Sequence, residues 1–330
     1  MHSRMLASLA LAAAACGASS TSPTGSPGAG GLFRATNAWN TAVDSAALSA
    51  SSATMLAALE AAGGFGGGKI QIDFSMKILT ADASTPMVGF TPAPGYYTPD
   101  CDTGVQFPLP AGGAVEGETG YACTQGGDCH LLVVHPGQGK LYEMYQANLV
   151  GGVLESMCTV VWDLSKSYPQ NLRGDQCTST DAAGLPVAAL LFTADEVAAG
   201  SIDHAIRFIL PNARMAQGVY VRPATHAGAP SGASDLPPYG TRLRLRSSYP
   251  ISSLSAGAQV VARALQKYGM ILADGGTIAL TAADDAFTQH KWADVGIDSH
   301  SLGTLQVSDF EVVGAGATIP LTYDCVRNGQ

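Results

Sequence analysis

Four ionisable side chains in this sequence lie among apolar, strand-like neighbours, where groups that transfer protons are uncommon. They are Glu143, Asp181, His204 and His226. A buried polar group must be hydrogen-bonded, bind a ligand or open onto a cleft, because burial without a partner is costly. The sequence therefore allows two interpretations of these residues: satisfied members of the core, or the proton-transferring groups of a site.

His204 lies in a segment whose pattern predicts a strand. From Ile202 to Leu210, a period of two puts His204 on an apolar face and Arg207 on the opposite face. Glu143 lies in a similar pattern, on a predicted strand from Lys140 to Gln146 that pairs with a strand from His130 to Val134. Burial there would raise the pKa of Glu143, as a general acid requires. The alternative is a glutamate at a solvent-exposed strand edge.

These residue types fit acid–base chemistry on a glycan. Glycan cleavage needs one carboxyl group that stays protonated near neutral pH and one that is ionised. Glu143 and Asp181 are the predicted pair, and His204 or His226 would act as the base in a lyase variant. Arg207 would hold a uronate or sulfate group of the substrate.

The predicted substrate-binding residues are Arg207, His130 and the adjacent pair Tyr96 and Tyr97, which could form an aromatic platform for a sugar ring. The two tyrosines could equally cover an edge of the core. A mononuclear metal site from His130, His204 and His226 with Asp128 or Asp181 has suitable ligand types. No spacing demands it, HExxH is absent, and we expect neither a metal nor another cofactor.

Composition argues against other classes of function. The chain has 17 basic and 26 acidic residues and a net charge of −9, which disfavours nucleic acid as a partner. Arg242, Arg244 and Arg246 alternate with leucines and are interpreted first as a solvated strand face. The sequence contains no GxSxG motif for a serine nucleophile.

The N-terminus resembles an export signal. Residues 1–16 combine a basic start with a short apolar stretch of small residues, which predicts a signal peptide. Cys16 follows in a context that resembles a bacterial lipoprotein processing site, so the chain is either lipid-anchored through Cys16 or simply secreted. Residues 17–31 form a linker rich in Ser, Thr, Pro and Gly. A lipid on Cys16 would be the only membrane contact, in the cell envelope; otherwise the protein is extracellular.

Six cysteines remain when Cys16 is set aside, and an even number in an exported chain predicts three disulfides. Fifteen pairings are open, and short loops favour Cys123 with Cys129 and Cys158 with Cys177. The six candidates are Cys101, Cys123, Cys129, Cys158, Cys177 and Cys325.

The remainder, residues 32–330, is predicted to be one mainly β domain. The chain has 39 glycines and 18 prolines and only 13% charged residues, which is typical of short strands joined by turns. We expect an antiparallel β-sandwich or a jelly-roll-like domain with a few short covering helices. The predicted helices are Ala53 to Ala62, Ala194 to Ala199 and Ala256 to Tyr268.

Several short motifs resemble those of a group of exported bacterial proteins that has no known activity. The motifs are DAAGLP from Asp181, HAIRF from His204, PATH from Pro223, LPPYG from Leu236 and ALQKYGM from Ala264, within residues 128–313. The resemblance implies export and a single domain, and it implies nothing about mechanism.

The expected function is therefore an exported enzyme that cleaves a polysaccharide, as a glycoside hydrolase or a polysaccharide lyase. The alternative is a non-catalytic cell-surface module that binds a glycan or a protein. Convergence of Glu143, Asp181, His204 and His226 in one cleft favours the enzyme, and scattering of these residues favours the binding module.

Overall fold

The computed structural model describes residues 31–314 and 316–328. The predicted signal peptide, Cys16 and all but the last residue of the predicted linker lie outside the described residues. No helix in the described part of the chain is long and apolar enough to cross a membrane.

Strands dominate the structure, as the composition predicted. The described residues form three α-helices: α1 (Ser52–Ala61), α2 (Ala194–Ala199) and α3 (Ala256–Lys267). The strands are β1 (Ile72–Met76), β2 (Ile78–Thr80), β3 (Met87–Val88), β4 (Phe90–Pro92), β5 (Phe107–Pro108), β6 (Leu131–His135), β7 (Lys140–Tyr145), β8 (Asn148–Val150), β9 (Val153–Ser156), β10 (Cys158–Asp163), β11 (Gly174–Asp175), β12 (Ile206–Leu210), β13 (Val219–Tyr220), β14 (Arg242–Leu245), β15 (Met270–Gly275), β16 (Leu280–Ala283), β17 (Phe310–Val313), β18 (Ile319–Pro320) and β19 (Val326–Arg327). The prediction of a mainly β fold with a few helices is confirmed.

Two sheets carry most of the core. The larger has the order β1-β16-β12-β15-β14-β17, and the smaller has the order β10-β7-β6-β2. Both are mixed, because β1 pairs parallel with β16, β12 with β15, and β2 with β6. The sheets are therefore not purely antiparallel. The β12–β15 pair was hard to foresee, since β13, β14 and α3 all intervene in the chain.

The smaller sheet has an apolar surface on both faces. Leu132, Leu141 and Trp162 point into the core that the larger sheet also shares. Alternate residues such as Val133 and Met144 pack into a second, smaller core. This alternation follows from the period of two along β6, β7 and β10. It confirms that Glu143 lies on a buried strand face and not at a solvent-exposed edge.

Side chains cap the N-termini of two of the three described α-helices. Thr193 and Glu196 form the capping box of α2, and the side chain of Ser255 accepts from the backbone N–H of Ala258 at the start of α3. Ser52 is the first helical residue of α1, one position before the predicted start at Ala53. Its hydroxyl accepts from the backbone N–H of Val312 at 2.9 Å, which ties α1 to β17.

The arginine-rich strand is not a solvated face. Arg242 and Arg244 are buried, and their guanidinium groups donate hydrogen bonds to backbone carbonyls of the N-terminal segment. Arg242 donates to the carbonyls of Ala38 and Thr41. Arg244 donates to Glu311 and to carbonyls between residues 43 and 46. Both faces of this strand are therefore buried, the one that carries the arginines and the one that carries the leucines. The prediction of solvent exposure was wrong for Arg242 and Arg244.

Three disulfides are present among the described residues: Cys101–Cys158, Cys123–Cys129 and Cys177–Cys325. The predicted pair Cys123–Cys129 is confirmed, and the predicted pair Cys158–Cys177 is wrong. Loop length was a weak guide, since closing a longer loop costs little more than closing a short one. The fold instead brings the Cα atoms of Cys101 and Cys158 to 5.3 Å.

Candidate functional site

An open cleft of about 680 Å³ lies where several loops meet the ends of β7 and β15. Its walls combine carboxylates, tyrosine rings, hydroxyl groups and one histidine. The lining residues are Tyr96, Tyr97, Thr98, Asp100, Asp128, Tyr145, Thr178, Ser179, Thr180, Ala182, His226, Gly228, Ala229, Asp274 and Tyr323. A concave site with convergent polar groups is the usual form of a small-molecule or substrate site.

Both sheets contribute to the cleft. Asp128 lies just before β6, and Tyr145 is the last residue of β7. Asp274 is the next-to-last residue of β15, in the larger sheet. A segment from residue 178 to 182, which follows Cys177, forms a further wall. Asp274 lies within a strand and is therefore held more rigidly than a group on a long loop.

Asp128 and Asp274 differ in their surroundings. Burial raises the pKa of Asp128 above its ordinary value, and the negative charges of Asp274 and Glu116 raise it further. Asp274 accepts from Arg207 Nη2 at 2.7 Å, so its carboxylate has a fixed cationic partner. The cleft therefore holds one carboxyl group whose pKa is raised and one that is paired with a positive charge.

Arg207 lies behind the cleft and connects it to the core. Only 3% of its surface is exposed. Its Nε donates to Asp181 Oδ1 at 3.0 Å, and its Nη1 donates to Thr281 Oγ1 at 3.1 Å. Burial raises the pKa of Asp181 to about 7, although the charge of Arg207 opposes the shift. The predicted role of Arg207 as a uronate or sulfate ligand is wrong, because its donors already serve Asp181, Asp274 and Thr281.

His130 also lies behind the cleft, as an imidazolium. Its Nδ1 is 2.7 Å from Glu116 Oε2 and its Nε2 is 2.9 Å from the carbonyl oxygen of Thr180. Both partners are acceptors, so both ring nitrogens must carry protons. Burial acts to lower the pKa of His130, but the bond and charge of Glu116 outweigh it and raise the pKa to about 9. His130 therefore supports the Thr180 wall and does not contact a ligand in the cleft.

The ion pair between His130 and Glu116 predicts that the stability of the fold depends on pH. The folded pKa of His130, about 9, is above its ordinary value of 6.5, so the stabilisation is complete below pH 6.5 and is lost as pH rises towards 9. The loss should be about 3 kcal/mol. For Glu116, burial acts to raise the pKa, but bonding to His130 lowers it to about 2, so the same pair also weakens as pH falls below 4.5.

Urea unfolding between pH 6 and pH 9 would measure the effect. In the double variant Glu116→Gln/His130→Gln, which keeps hydrogen-bonding groups but removes both charges, most of this pH dependence should disappear. An unchanged slope in the double variant would show that other groups cause it.

His226 is the one predicted catalytic residue that lines the cleft. Its Nδ1 lies 3.0 Å from the carbonyl oxygen of Ala182, which fixes that nitrogen as the donor. Burial lowers the pKa of His226. The neutral ring therefore carries a lone pair on Nε2, and it packs edge-to-face on Tyr323 with ring centroids 5.4 Å apart.

Tyrosine rings form the aromatic part of the cleft, and they include the predicted pair Tyr96 and Tyr97. Tyr97 stacks on Tyr145 with centroids 6.2 Å apart and an interplanar angle of 23°. The Tyr96 hydroxyl donates to the carbonyl of Asp102 and accepts from Thr159 N, so Tyr96 also anchors the loop. Burial raises the pKa of Tyr145 to about 12, with the charge of Asp128 adding to the effect.

Glu143 is a structural carboxylate. It is fully buried and accepts from Trp162 Nε1, from the Thr180 hydroxyl and from the backbone N–H of Ala188. Burial raises its pKa, as expected, but the residue lies beneath Thr180 and does not line the cleft. Its predicted role as a general acid in contact with substrate is therefore wrong.

His204 lies in another part of the core. It precedes β12, which begins at Ile206, so the predicted strand was too long. Its Nδ1 is 2.8 Å from the carbonyl oxygen of Ala205 and its Nε2 is 3.2 Å from Glu196 Oε1. The histidine is satisfied on both sides, and its predicted catalytic role is wrong. With Asp181 enclosed behind Arg207 as well, the four predicted catalytic residues do not converge.

The suggested histidine metal site is not formed. His130 and His204 use both ring nitrogens for protein acceptors, which leaves no lone pair for a metal. In the described part of the chain, the clusters with metal-ligand geometry are Asp100 with Cys177 and Cys325, and Glu118 with Cys123 and Cys129. Their cysteines are joined in disulfides and offer no thiolates.

The sequence reasoning missed Asp274 as a functional residue and considered Asp128 only as a metal ligand. A signal for Asp274 existed: an acidic residue directly follows the apolar run Met270 to Ala273 and precedes two glycines. Asp128 lies in a glycine-rich stretch without periodicity. Only the fold could place it beside Asp274.

Comparisons of the chain with protein-family models, with curated proteins and with solved structures find no match. The function must therefore be argued from the cleft itself.

Proposed function

We propose that the protein is an exported glycoside hydrolase that cleaves an uncharged glycan in this cleft. The observation that carries the proposal is the presence of two carboxyl groups in different environments on the walls of one aromatic cleft. Asp128 has a raised pKa, and Asp274 is paired with Arg207. This asymmetry is what acid-catalysed cleavage of a glycosidic bond requires.

In the proposed reaction, Asp128 donates its proton to the glycosidic oxygen as the bond from that oxygen to the anomeric carbon breaks. The Asp274 carboxylate stabilises the positive charge that develops on the sugar. A water molecule then forms the new bond to the anomeric carbon, and its proton passes to the Asp128 carboxylate, which restores the starting state. Asp181 and Arg207 act as positioning residues, since they fix Asp274 without contacting the sugar.

The charges around the cleft favour hydrolysis of an uncharged glycan over elimination from a uronate. Among the described residues that line it, none is lysine or arginine, and three are aspartates. A lyase must neutralise the uronate carboxylate, and an acidic cleft would repel that group. The tyrosine rings suit an uncharged sugar, because their apolar faces stack on the C–H face of the ring.

Export is part of the proposal. Disulfides persist in oxidising compartments, and the three present are compatible with an exported protein. A signal peptide at residues 1–16 and an anchor on Cys16 would deliver the cleft to the cell envelope, and secretion without an anchor would deliver it outside the cell.

The alternative is a glycan- or protein-binding module without catalysis. It is favoured by the failure of Glu143, Asp181, His204 and His226 to meet in one cleft, which the sequence argument had set as the criterion. The enzyme proposal therefore depends on two other carboxyl groups, those of Asp128 and Asp274, which both line the cleft.

A polysaccharide panel would test the proposal. The purified protein is incubated with uncharged glycans (glucans, xylan, mannan, chitin) and with anionic glycans (alginate, pectin). Reducing ends and unsaturated uronates are then measured. We expect reducing ends from at least one uncharged glycan and no unsaturated uronate. No product from any glycan, with binding detected by affinity electrophoresis, would instead establish the binding module.

A further inference from the structure

A second groove of about 720 Å³ lies on the other side of the segment that carries Tyr96 and Tyr97. Thr98 lines both cavities. The charge of the second groove is opposite to that of the first. Among the described residues, its charged lining consists of four cations and two carboxylates: Lys140, Lys166, Arg173, Arg327, Asp102 and Asp163. In a chain of net charge −9, this concentration of cations needs a physical reason.

Two of the cations are held close together. Arg173 Nη2 and Arg327 Nη2 both donate to the same oxygen, Asp102 Oδ1, at 2.6 and 2.8 Å. Arg173 is 8% exposed and packs over the ring of Trp162 at 5.6 Å. Arg327 Nη1 donates to the carbonyls of Pro99 and Asp100, so this side chain is also fixed in position.

Each arginine retains a buried N–H donor without an acceptor. Arg173 Nη1 and Arg327 Nε have no hydrogen-bond partner within the described residues. An unsatisfied buried donor is costly, and the cost is greater for a charged group. Burial also lowers the pKa of Arg173, and the charge of Arg327 contributes to the lowering. Asp102 bridges the two guanidinium groups but carries one negative charge against their two positive charges, so the pair retains a net positive charge beside the groove.

We propose that this groove binds an oxyanion at Arg173 and Arg327. Guanidinium groups present N–H donors in a planar fork that matches the oxygens of phosphate, sulfate and carboxylate. The oxyanion would neutralise the positive charge that the arginine pair retains. Lys140 and Lys166 add positive charge at the rim, where Lys140 is paired with Asp163 at 2.8 Å. The site is separate from the acidic cleft and does not depend on the proposed hydrolase activity.

Titration of the intact protein with phosphate, sulfate and acetate would test the site. Thermal unfolding and calorimetry are measured against chloride at equal ionic strength, which removes general screening. We expect at least one oxyanion to raise the melting temperature and to bind with measurable heat. In Arg327→Gln its affinity should fall about tenfold or more, because a charge-assisted bond is lost. The matched control Arg246→Gln, on the larger sheet, should bind as the wild type does.

A milder variant covers the case in which Arg327→Gln is poorly folded. Lys166→Gln removes a charge at the rim and leaves the arginine pair intact. We expect a two- to threefold loss of affinity, which is about the effect of one solvent-screened surface charge. The proposal is overturned if no oxyanion stabilises the wild type beyond chloride. It is also overturned if folded Arg327→Gln and Lys166→Gln both bind with wild-type affinity.

Discussion

Asp128→Asn should lower the rate of glycan cleavage by about 10²- to 10⁴-fold while the protein stays folded. Asparagine has nearly the same size as aspartate but has no proton to donate to the glycosidic oxygen. The measurement is kcat and KM on the best substrate of the panel, with far-UV circular dichroism to confirm folding. We expect the loss in kcat, since sugar binding by the tyrosine walls is unaffected.

The control for this variant is Asp235→Asn, which changes an exposed aspartate that does not line the cleft. It should retain wild-type kcat. Two outcomes would remove Asp128 from the proposed mechanism: full activity in Asp128→Asn, or equal losses in the two variants. The pH dependence adds a second check, because the acidic form of Asp128 is required and activity should fall as pH rises through its raised pKa.

Arg207→Met should destabilise the fold by about 3–5 kcal/mol. The substitution leaves Asp181 buried with an uncompensated charge and removes the cation that holds Asp274. Methionine fills much of the space of the arginine stem, so the loss reports charge more than volume. Urea unfolding at pH 7 measures the free energy of unfolding directly.

Arg246→Met is the matched control. Its side chain is 44% exposed and lies 3.5 Å from Glu311, so its replacement should cost no more than about 1 kcal/mol. The double variant Asp181→Asn/Arg207→Met should recover part of the loss, because the buried negative charge is gone. A double variant as unstable as Arg207→Met would mean that Arg207 stabilises by packing and not by neutralising Asp181.

The sequence predicted buried elements better than it predicted the site. A period of two correctly put Glu143 on a buried face of β7, and turn residues correctly joined β6 to β7. The same reasoning could not tell a ligand-binding group from a satisfied one. Glu143 has its acceptors filled by Trp162, Thr180 and Ala188, and two of these partners lie more than 30 positions away in the chain.

The cleft depends on contacts that no local pattern encodes. Asp128 and Asp274 line the same cleft although they lie beside β6 and at the end of β15, which belong to different sheets. Tyr96 and Tyr97 could be singled out because adjacent tyrosines in a Gly/Pro-rich segment are visible in the sequence, and both line the cleft. His226 was singled out as an ionisable group among apolar neighbours, and only the fold distinguishes it from His204, which bonds to Glu196.

The disulfide Cys177–Cys325 bridges 148 positions and joins two walls of the cleft, since Thr178 follows one cysteine and Tyr323 precedes the other by two positions. Under the proposed function, activity would therefore depend on the formation of this disulfide after synthesis. A freshly synthesised chain in a reducing cytoplasm would lack the covalent tie that closes the Tyr323 wall. The enzyme would then mature only after oxidation, which would spare the producing cell's own sugar polymers until the protein has left.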